Sequence, residues 1–452
     1  MKKPGNPLLI GVFSISAFLY LLLGYESTRE NFILLCLLFA VLFLGYFLLL
    51  RKNSSSERYL LAAGIIFRLL FLFSIPALSP DFYRFIWDGQ VLLHGYNPYL
   101  HTPQELIAQT GFQIPNAEAL FLKMGSLSAG NHTNYPPVCQ GIYALCAFIA
   151  GKSILSAVIS FRLIILFCDL GIYYVGKKIL KHLNLPVKNI YLYFLNPLVI
   201  VELTGNLHFE GIMIFFLFAA LYFLLNKKIF PSAIFFAISI AVKLVPLMLA
   251  PLFLRWLGFK KAVSFYLGIG ITMIVLFIPF FSMQFFQNYF HTISLWFVNF
   301  EFNASIYYLI REIGYYVKGY DIIHSVGKIM PIIIIAYILI FSYSKKNREV
   351  NILLENMLLV LGIYFFLSTT VHPWYVVTLV ALSIFTRYRF ALIWSAMIIL
   401  SYFAYSQNPF NESSLLLIIE YGVVFVFFFI EIFRKKIFNH GQKTFFGLKS
   451  NI

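Results

Sequence analysis

Residues 79–99 carry the chemical groups around which we interpret the rest of the chain. They include the carboxylates of Asp81 and Asp88 and the guanidinium of Arg84, at a spacing that places all three on one face of a helix. A carboxylate can accept the proton of a nearby hydroxyl, and its negative charge can stabilise positive charge that develops in a transition state. The same spacing is equally compatible with a solvated helix that carries an Asp–Arg pair of little energetic value.

The surroundings of these residues predict where the helix lies. Tyr83 and Trp87 fall on an adjacent face, and such rings favour the boundary between membrane and water. Residues 94–99 contain glycine and proline and predict the end of the helix. We therefore predict a carboxylate-bearing surface helix just outside a membrane span at about 59–77.

Two further candidate sites lie in turns. His208 and Glu210 follow Asn206, and a histidine beside a carboxylate can bind a divalent cation or an acceptor sugar. Ordinary polar capping of an interfacial loop is the alternative for this turn. Asn303 lies in an aromatic segment that could shape the entrance for a substrate, and interfacial anchoring explains that segment equally well.

Lys243 and the sequence from His372 to Tyr375 complete the candidates. An ammonium at membrane depth costs about 2.5–3.5 kcal/mol, so Lys243 needs a partner or water. A lipid phosphate would satisfy it, and snorkelling from a short helix is the alternative. Pro373 favours the first turn of a new helix, His372 can donate to a phosphate and Trp374 can stack on a sugar. An aromatic-belt anchor would explain Trp374 and Tyr375 but not His372.

The composition indicates a polytopic membrane protein. Of 452 residues, 61% are hydrophobic and 12% are charged, whereas soluble domains carry about 25% charged residues. The formal net charge of +16 could suggest nucleic acid, but the basic residues form short clusters between apolar runs. This is the positive-inside pattern, so we predict membrane lipids and no nucleic acid as partners. The four cysteines lack metal-ligand spacing and are interpreted as packing residues.

The hydropathy pattern predicts an all-α fold, a single integral membrane domain over residues 1–452 with about 11–13 transmembrane helices. Residues 78–134 are predicted as the largest extracytoplasmic loop, and residues 281–305 as a second external loop. Predicted spans lie at about 8–24, 31–50, 59–77, 137–150, 153–175, 211–226, 262–280, 329–343, 351–369, 374–386, 390–406 and 414–433, with a broken or short helical pair at 230–254.

Basic residues orient these spans. Several clusters are predicted to lie inside, including Lys2, Lys3, Lys52, Lys345 and Lys346. Two full crossings at 137–150 and 153–175 would instead place Lys177 outside. Either one of these segments is not a full crossing, or the positive-inside rule is broken locally.

The pattern D-x-x-R-x-x-W-D-G at residues 81–89, followed by G-x-N-P-Y at 95–99, resembles the first extracytoplasmic loop of GT-C membrane glycosyltransferases. It is most similar to that of bacterial polyprenyl-phosphate-mannose-dependent mannosyltransferases. The resemblance implies a multi-span fold, a lipid-phosphate-linked sugar donor and an essential aspartate in this loop. The turn at His208, the K-x-x-P spacing at Lys243 and the H-P-W-Y turn are also similar, with Glu210 where the family often has aspartate.

This resemblance predicts an inverting glycosyltransferase at the extracytoplasmic face of the inner (plasma) membrane. It would transfer a hexose, mannose by resemblance, from a polyprenyl-phosphate donor to a hydroxyl of a glycan or lipid acceptor. Asp81 is the predicted base, and Asp88 is a second catalytic candidate that could instead position the loop or hold a metal such as Mg²⁺ or Mn²⁺. The residues predicted to bind substrate are Arg84, His208, Glu210, Lys243, Asn303, His372, Trp374 and Tyr375.

A transporter or flippase of a lipid-linked sugar is the alternative function. The same polar groups would then bind the sugar lipid without chemistry. Inverted repeats with broken helices in matching places would be its mark, and the hydropathy pattern contains no repeat of that strength. The sequence also contains no P-loop, which disfavours ATP-driven transport.

Overall fold

The computed structural model describes residues 7–51, 56–343 and 348–437. In these residues helices alternate with turns and loops, and the one extended pairing is an isolated parallel bridge between Phe302 and Thr370. The predicted all-α fold is therefore confirmed. Five basic residues that were predicted to lie on the cytoplasmic side are not among the described residues: Lys2, Lys3, Lys52, Lys345 and Lys346.

Seven of the described helices are long and apolar enough to cross a membrane, and a broken pair, Pro197–Gly205 with Glu210–Leu225, makes eight if it counts as one span. The seven are Pro7–Tyr25, Phe32–Arg51, Ile154–His182, Phe259–Phe280, Ile323–Ser342, Val350–Leu367 and Ser414–Phe433. Shorter apolar helices are Pro137–Ala150, Ile229–Val242, Val245–Leu257, Pro373–Ser383 and Phe390–Ser406. The multi-pass architecture is confirmed, and the predicted number of spans is reached only if most of the shorter helices also cross.

Three segments differ from the predicted spans and loops. The span predicted at about 59–77 is helical only over Glu57–Leu69. The external loop predicted at 281–305 contains the helix Met283–Val298. Lys177 lies on the last turns of the 29-residue helix Ile154–His182, not in a loop after it. The preceding helix, Pro137–Ala150, has 14 residues and is about 21 Å long, shorter than a hydrocarbon core of about 30 Å.

The described residues form two compact units. The first unit is drawn from residues 1–74, 176–205 and 372–452, and the second from residues 75–175 and 206–371. Helices of the first unit are Pro7–Tyr25, Phe32–Arg51, Glu57–Leu69, Val187–Ile190, Tyr191–Phe194, Pro197–Val199, Ile200–Gly205, Pro373–Ser383, Phe390–Met397, Ile398–Ser406 and Ser414–Ile437. Helices of the second are Asp81–Leu93, Pro103–Ile107, Ala117–Lys123, Ser126–Ala129, Pro137–Ala150, Glu210–Leu225, Ile229–Val242, Val245–Leu252, Phe253–Leu257, Phe259–Phe277, Ile278–Phe280, Met283–Val298, Ile306–Lys318, Ile323–Ser342 and Val350–Leu367. Residues of Ile154–His182 belong to both units.

Buried polar side chains in the first unit bind one another across helices. The Tyr402 hydroxyl donates to Glu202 at 2.7 Å, and the Trp394 indole N–H donates to Glu420 at 3.0 Å. Both carboxylates are completely buried. Since an unpaired polar group in hydrocarbon costs several kcal/mol, these bonds explain how the first unit accommodates acidic residues in apolar surroundings.

The helix Asp81–Leu93, called the Asp81 helix, positions the first candidate residues in the second unit. The Asp81 carboxylate lies in its first turn, where the helix dipole favours negative charge. The Ser79 hydroxyl accepts the backbone N–H of Asp81 at 3.3 Å. The helix ends where Gly95 adopts a φ of 83°, and the N–H groups of Gly95 and its successor bind carbonyls of the last turn at 3.1 Å. This is a Schellman motif, and it confirms the predicted helix end.

The Asp81 helix is buried, so the prediction of a surface helix is wrong. Trp87 is almost completely covered by neighbours that include the rings of Phe112 and Phe121, and it is a core residue, not an interfacial anchor. Phe85 stacks on Tyr143 with the ring centroids 4.7 Å apart. Because large aromatic rings gain most from leaving water, these contacts bury the helix together with its polar residues.

Gly89 sets how closely the Asp81 helix approaches the helix Pro137–Ala150. A Cβ at this position would lie 2.3 Å from the Tyr143 carbonyl oxygen and 2.6 Å from the carbonyl carbon. Those atoms belong to the backbone of the neighbouring helix, so only a glycine permits this approach. The glycine of the W-D-G sequence therefore has a packing role.

Candidate active site

Arg84 and Asp88 form a buried ion pair in the middle of the Asp81 helix. Arg84 Nε donates to Asp88 Oδ1 at 2.6 Å, and Gln140 Nε2 donates to Asp88 Oδ2 at 3.1 Å. The guanidinium also donates to the backbone carbonyls of Ser128, in the short helix Ser126–Ala129, and of Asn131, in the covering loop that follows it. Both oxygens of Asp88 thus accept hydrogen bonds from the protein. This geometry favours the positioning role that the sequence left open for Asp88.

Gln140 is part of this site and was not predicted from the sequence. It lies on the helix Pro137–Ala150 and is completely buried. Besides Asp88, its Nε2 atom reaches the Thr133 hydroxyl at 3.1 Å. The available signal was an amide in an otherwise apolar run, since such a group needs hydrogen-bond partners when it is buried.

Glu210 and Lys243, both predicted to bind substrate, bind each other. Glu210 begins the helix Glu210–Leu225, and Lys243 directly follows the helix Ile229–Val242. The Glu210 side chain is almost fully buried, whereas 18% of the Lys243 side chain stays exposed. Glu210 Oε2 has no hydrogen-bond partner among the described residues. The partner that Lys243 requires at membrane depth is therefore a carboxylate of the protein.

Asp81 and Glu210 are close enough for their charges to interact. Asp81 is partly exposed, while Glu210 is buried. The carboxyl groups of Asp81 and Glu210 and the Lys243 ammonium thus lie in one part of the site. Such a site attracts protons and stabilises positive charge that develops nearby.

The turn at residues 206–209 connects this pair to the start of the Asp81 helix. The Asn206 side-chain oxygen accepts the Leu78 backbone N–H at 3.3 Å, three residues before Asp81. Leu207 has a φ of 63°, a left-handed conformation that is uncommon for a leucine, and His208 is buried next to it. Such backbone costs on the order of 1–3 kcal/mol and concentrates at functional sites.

Asn303 lies in the same unit as Asp81, in a turn with a φ of 46°, which asparagine tolerates. Its neighbour Phe302 exchanges backbone hydrogen bonds with residues 369–371, and the Val371 N–H donates to the Phe302 carbonyl at 2.8 Å. Asn303 Nδ2 makes a long contact of 3.5 Å with the Val371 carbonyl. The side chain is completely buried, so its contact with a substrate stays a prediction.

His372, Trp374 and Tyr375 belong to the first unit and form a cluster of their own. His372 precedes Pro373, the first residue of a helix, as predicted. The imidazole stacks on the Trp374 indole at 4.4 Å with an interplanar angle of 7°, and the Tyr375 ring meets the imidazole edge-on at 5.4 Å. The imidazole therefore covers one face of the indole that was predicted to stack on a sugar.

Across residues 7–51, 56–343 and 348–437, no group of three or more histidine, cysteine, aspartate or glutamate side chains is arranged to hold a metal ion. The four cysteines are free, and three are buried.

The N-terminal half of the chain matches a known family. The sequence model described as "Alpha-(1->6)-mannopyranosyltransferase, N-terminal domain" matches residues 15–259, which is more than half of the 452 residues. The chain belongs to this mannopyranosyltransferase family. The part matched by the family model contains the candidates Asp81, Arg84, Asp88, His208, Glu210 and Lys243. It ends before Asn303 and residues 372–375.

Two proteins called alpha-(1->6)-mannopyranosyltransferase A are similar to this family member. The one from Corynebacterium glutamicum is 21% identical over 269 residues, covering 56% of the chain and 52% of that protein. The one from Mycobacterium tuberculosis is 22% identical over 233 residues, covering 49% of the chain and 43% of that protein. The matches thus span about half the length of these curated relatives. The predicted resemblance to bacterial membrane mannosyltransferases is confirmed.

Proposed function

We propose that this protein is a GT-C-type mannosyltransferase that uses a polyprenyl-phosphate mannose donor. The observation that carries the proposal is the placement of Asp81. Its carboxylate is partly exposed in the first turn of a buried helix, within electrostatic range of Glu210, and lies in the part matched by the mannopyranosyltransferase family. A lipid-linked donor can reach such a site from the membrane.

In the proposed reaction, an Asp81 oxygen accepts the proton of the acceptor hydroxyl. The acceptor oxygen forms a bond to the anomeric carbon of mannose on the side opposite the donor phosphate. The bond between that carbon and the phosphate oxygen breaks, and its electron pair leaves with polyprenyl phosphate. The configuration at the anomeric carbon is inverted. The negative charge of Asp81 and Glu210 stabilises the oxocarbenium-like transition state.

The other residues take supporting roles in this proposal. Lys243 neutralises the charge of the leaving phosphate. To do so, it releases its present partner Glu210 and binds the phosphate instead. Arg84 and Asp88 hold the Asp81 helix against the covering loop, since both are already engaged by the protein. The predicted roles of His208, Asn303, His372, Trp374 and Tyr375 in substrate binding remain part of the proposal.

The proposed site opens toward the extracytoplasmic leaflet of the plasma membrane. The support is the distribution of charge, because short basic clusters alternate with apolar spans, and basic clusters favour the cytoplasmic side. The acceptor is proposed to be a glycan or lipid of the cell envelope, whose hydroxyl groups would meet a site at this face.

Transfer of radiolabelled mannose from polyprenyl-phosphate mannose to a glycan or lipid acceptor tests the proposal. The protein is reconstituted as wild type, as Asp81→Asn and as Glu118→Gln, a matched change at an exposed carboxylate in the same loop region. We expect transfer by wild type and Glu118→Gln and a loss of about 10²–10⁴-fold in Asp81→Asn, the usual contribution of a general base.

Two results would count against this assignment. Equal transfer by wild type and Asp81→Asn would retain the activity and remove Asp81 as the base. If vesicles instead showed movement of the intact sugar lipid across the bilayer, equally in both proteins and without transfer, the flippase alternative would replace the transferase.

A further inference from the structure

The helix Ile306–Lys318 presents a fully apolar face that no other described part of the protein covers. Its exposed residues recur at the spacing i, i+4, i+7 and i+8, which forms one face of a helix. They are Leu309 at 67%, Ile313 at 63%, Tyr316 at 93% and Val317 at 65% exposed. The opposite face, with Tyr307, Tyr308 and Gly314, is packed against the protein.

This helix is followed directly in the chain by an apolar span with exposed apolar side chains. The helix ends at Gly319, which has a φ of 78°, and the apolar span Ile323–Ser342 begins four residues later. That span exposes apolar side chains along its length, including Ile332 at 66% and Ile340 at 72%. Exposed apolar side chains in this number are unfavourable in water and mark contact with lipid or a partner.

The helix Ile306–Lys318 is too short and too polar to cross the bilayer itself. Its 13 residues extend over about 20 Å, against a hydrocarbon core of about 30 Å. It also carries Arg311, Glu312 and Lys318. A helix with one apolar face, one charged flank and this length is typical of those that lie in the plane of the membrane surface.

Polar contacts hold the helix in this orientation. Arg311 donates to Glu301 at 2.6 Å, and its guanidinium lies over the Tyr308 ring at 4.2 Å. The Tyr307 hydroxyl donates at 3.0 Å to Asp321, which also accepts the Ile323 backbone N–H at 2.9 Å. These contacts attach the covered side of the helix to the segments that precede and follow it. The apolar side therefore faces away from the protein.

We propose that the helix Ile306–Lys318 lies flat on the membrane, with its apolar face at the boundary between lipid headgroups and acyl chains. The exposed Tyr316 favours this depth, where its ring is buried in lipid and its hydroxyl stays hydrated. Arg311 binds Glu301, and Asn303 lies between these two residues in the chain. A helix held at the membrane surface therefore also holds the turn at Asn303 in place. The proposal does not depend on the proposed transferase activity.

Spin labelling in lipid nanodiscs tests this depth. Because Cys139, Cys146 and Cys168 are buried, a Cys36→Ser background leaves the introduced cysteine as the reactive one. A nitroxide is attached to Tyr316→Cys, a change at a 93% exposed site that removes little packing. Leu267→Cys, 61% exposed on the span Phe259–Phe280, gives the lipid reference, and Glu118→Cys gives the water reference.

Collisions with oxygen and with a water-soluble nickel chelate report the depth of each label. We expect the Tyr316 label to lie between the two references, about 5–10 Å below the headgroup surface. The same accessibility as the Glu118 label would overturn the proposal. Protection from both reagents with spin–spin broadening would also overturn it, because a second copy would then cover the face. Leu309→Cys repeats the measurement from the other end of the face.

Discussion

Replacing Gly89 by alanine should separate the Asp81 helix from the helix Pro137–Ala150. The new Cβ would lie 2.3 Å from the Tyr143 carbonyl oxygen, 2.6 Å from its carbon and 3.1 Å from the Ala147 Cβ. Ordinary contacts of this kind begin near 3.4 Å. Since two of the three atoms are backbone and cannot rotate away, the two helices must move apart by about 1 Å.

This displacement has both an energetic and a functional consequence. Overpacking of a tight contact usually costs about 1–3 kcal/mol of unfolding free energy. The movement also lengthens the bond from Gln140 to Asp88, now 3.1 Å, and shifts the helix that carries Asp81. We therefore expect Gly89→Ala to unfold at a lower temperature in detergent and to transfer mannose at least about 10-fold more slowly, as misplacement of reacting groups implies.

The matched control is Gly141→Ala on the facing helix, where an added Cβ would have no atom within 4 Å. Alanine is a better helix former than glycine by about 1 kcal/mol, so this variant should be at least as stable as wild type. If both Gly89→Ala and Gly141→Ala kept the unfolding temperature of wild type, the close approach of the two helices would not require a glycine.

Two further predictions concern charge. Lys243→Met should destabilise the protein by up to about 3–5 kcal/mol, because it leaves Glu210 buried without its partner, and adding Glu210→Gln should restore the unfolding temperature. Mannose transfer should stay low in the double variant if Lys243 binds the donor phosphate, and recovery of both properties would exclude that role. Partial burial holds the pKa of His132 below its usual 6.5, despite the nearby charge of Glu105. The folded loop then binds fewer protons than the unfolded chain, so the unfolding temperature of wild type should fall as the pH drops below about 6.5. The fall should be smaller in His132→Asn, and equal pH profiles of the two proteins would contradict this.

Hydropathy located the uniformly apolar helices but not the helices that have one apolar and one polar face. The spans predicted at about 137–150, 211–226 and 414–433 agree closely with helices of the structure. The helices Met283–Val298 and Ile306–Lys318 were not predicted, because their polar residues lower the average over any window. Their apolar residues recur with helical spacing, and that signal depends on position around the axis, not on mean hydropathy.

Local spacing likewise predicted the Asp81 helix but not its burial. The positions of Asp81, Arg84 and Asp88 require only the geometry of one helix, which the 3.6-residue period provides. Burial depends on Tyr143 and on Gln140, which is 52 residues away from Asp88 in the chain. Rings such as Trp87 are common both at interfaces and in cores, so residue type alone could not distinguish the two.

The pairing of Lys243 with Glu210 shows where reasoning from residue types stops. Desolvation required a partner for the ammonium, but packing between two helices selected a carboxylate 33 residues away. In the proposed reaction, the donor phosphate must compete with Glu210 for Lys243. A phosphate that wins leaves Glu210 without a counter-charge near Asp81. Because breaking a buried ion pair leaves a carboxylate uncompensated, the donor phosphate must bind Lys243 more strongly than Glu210 does, and this competition opposes donor binding.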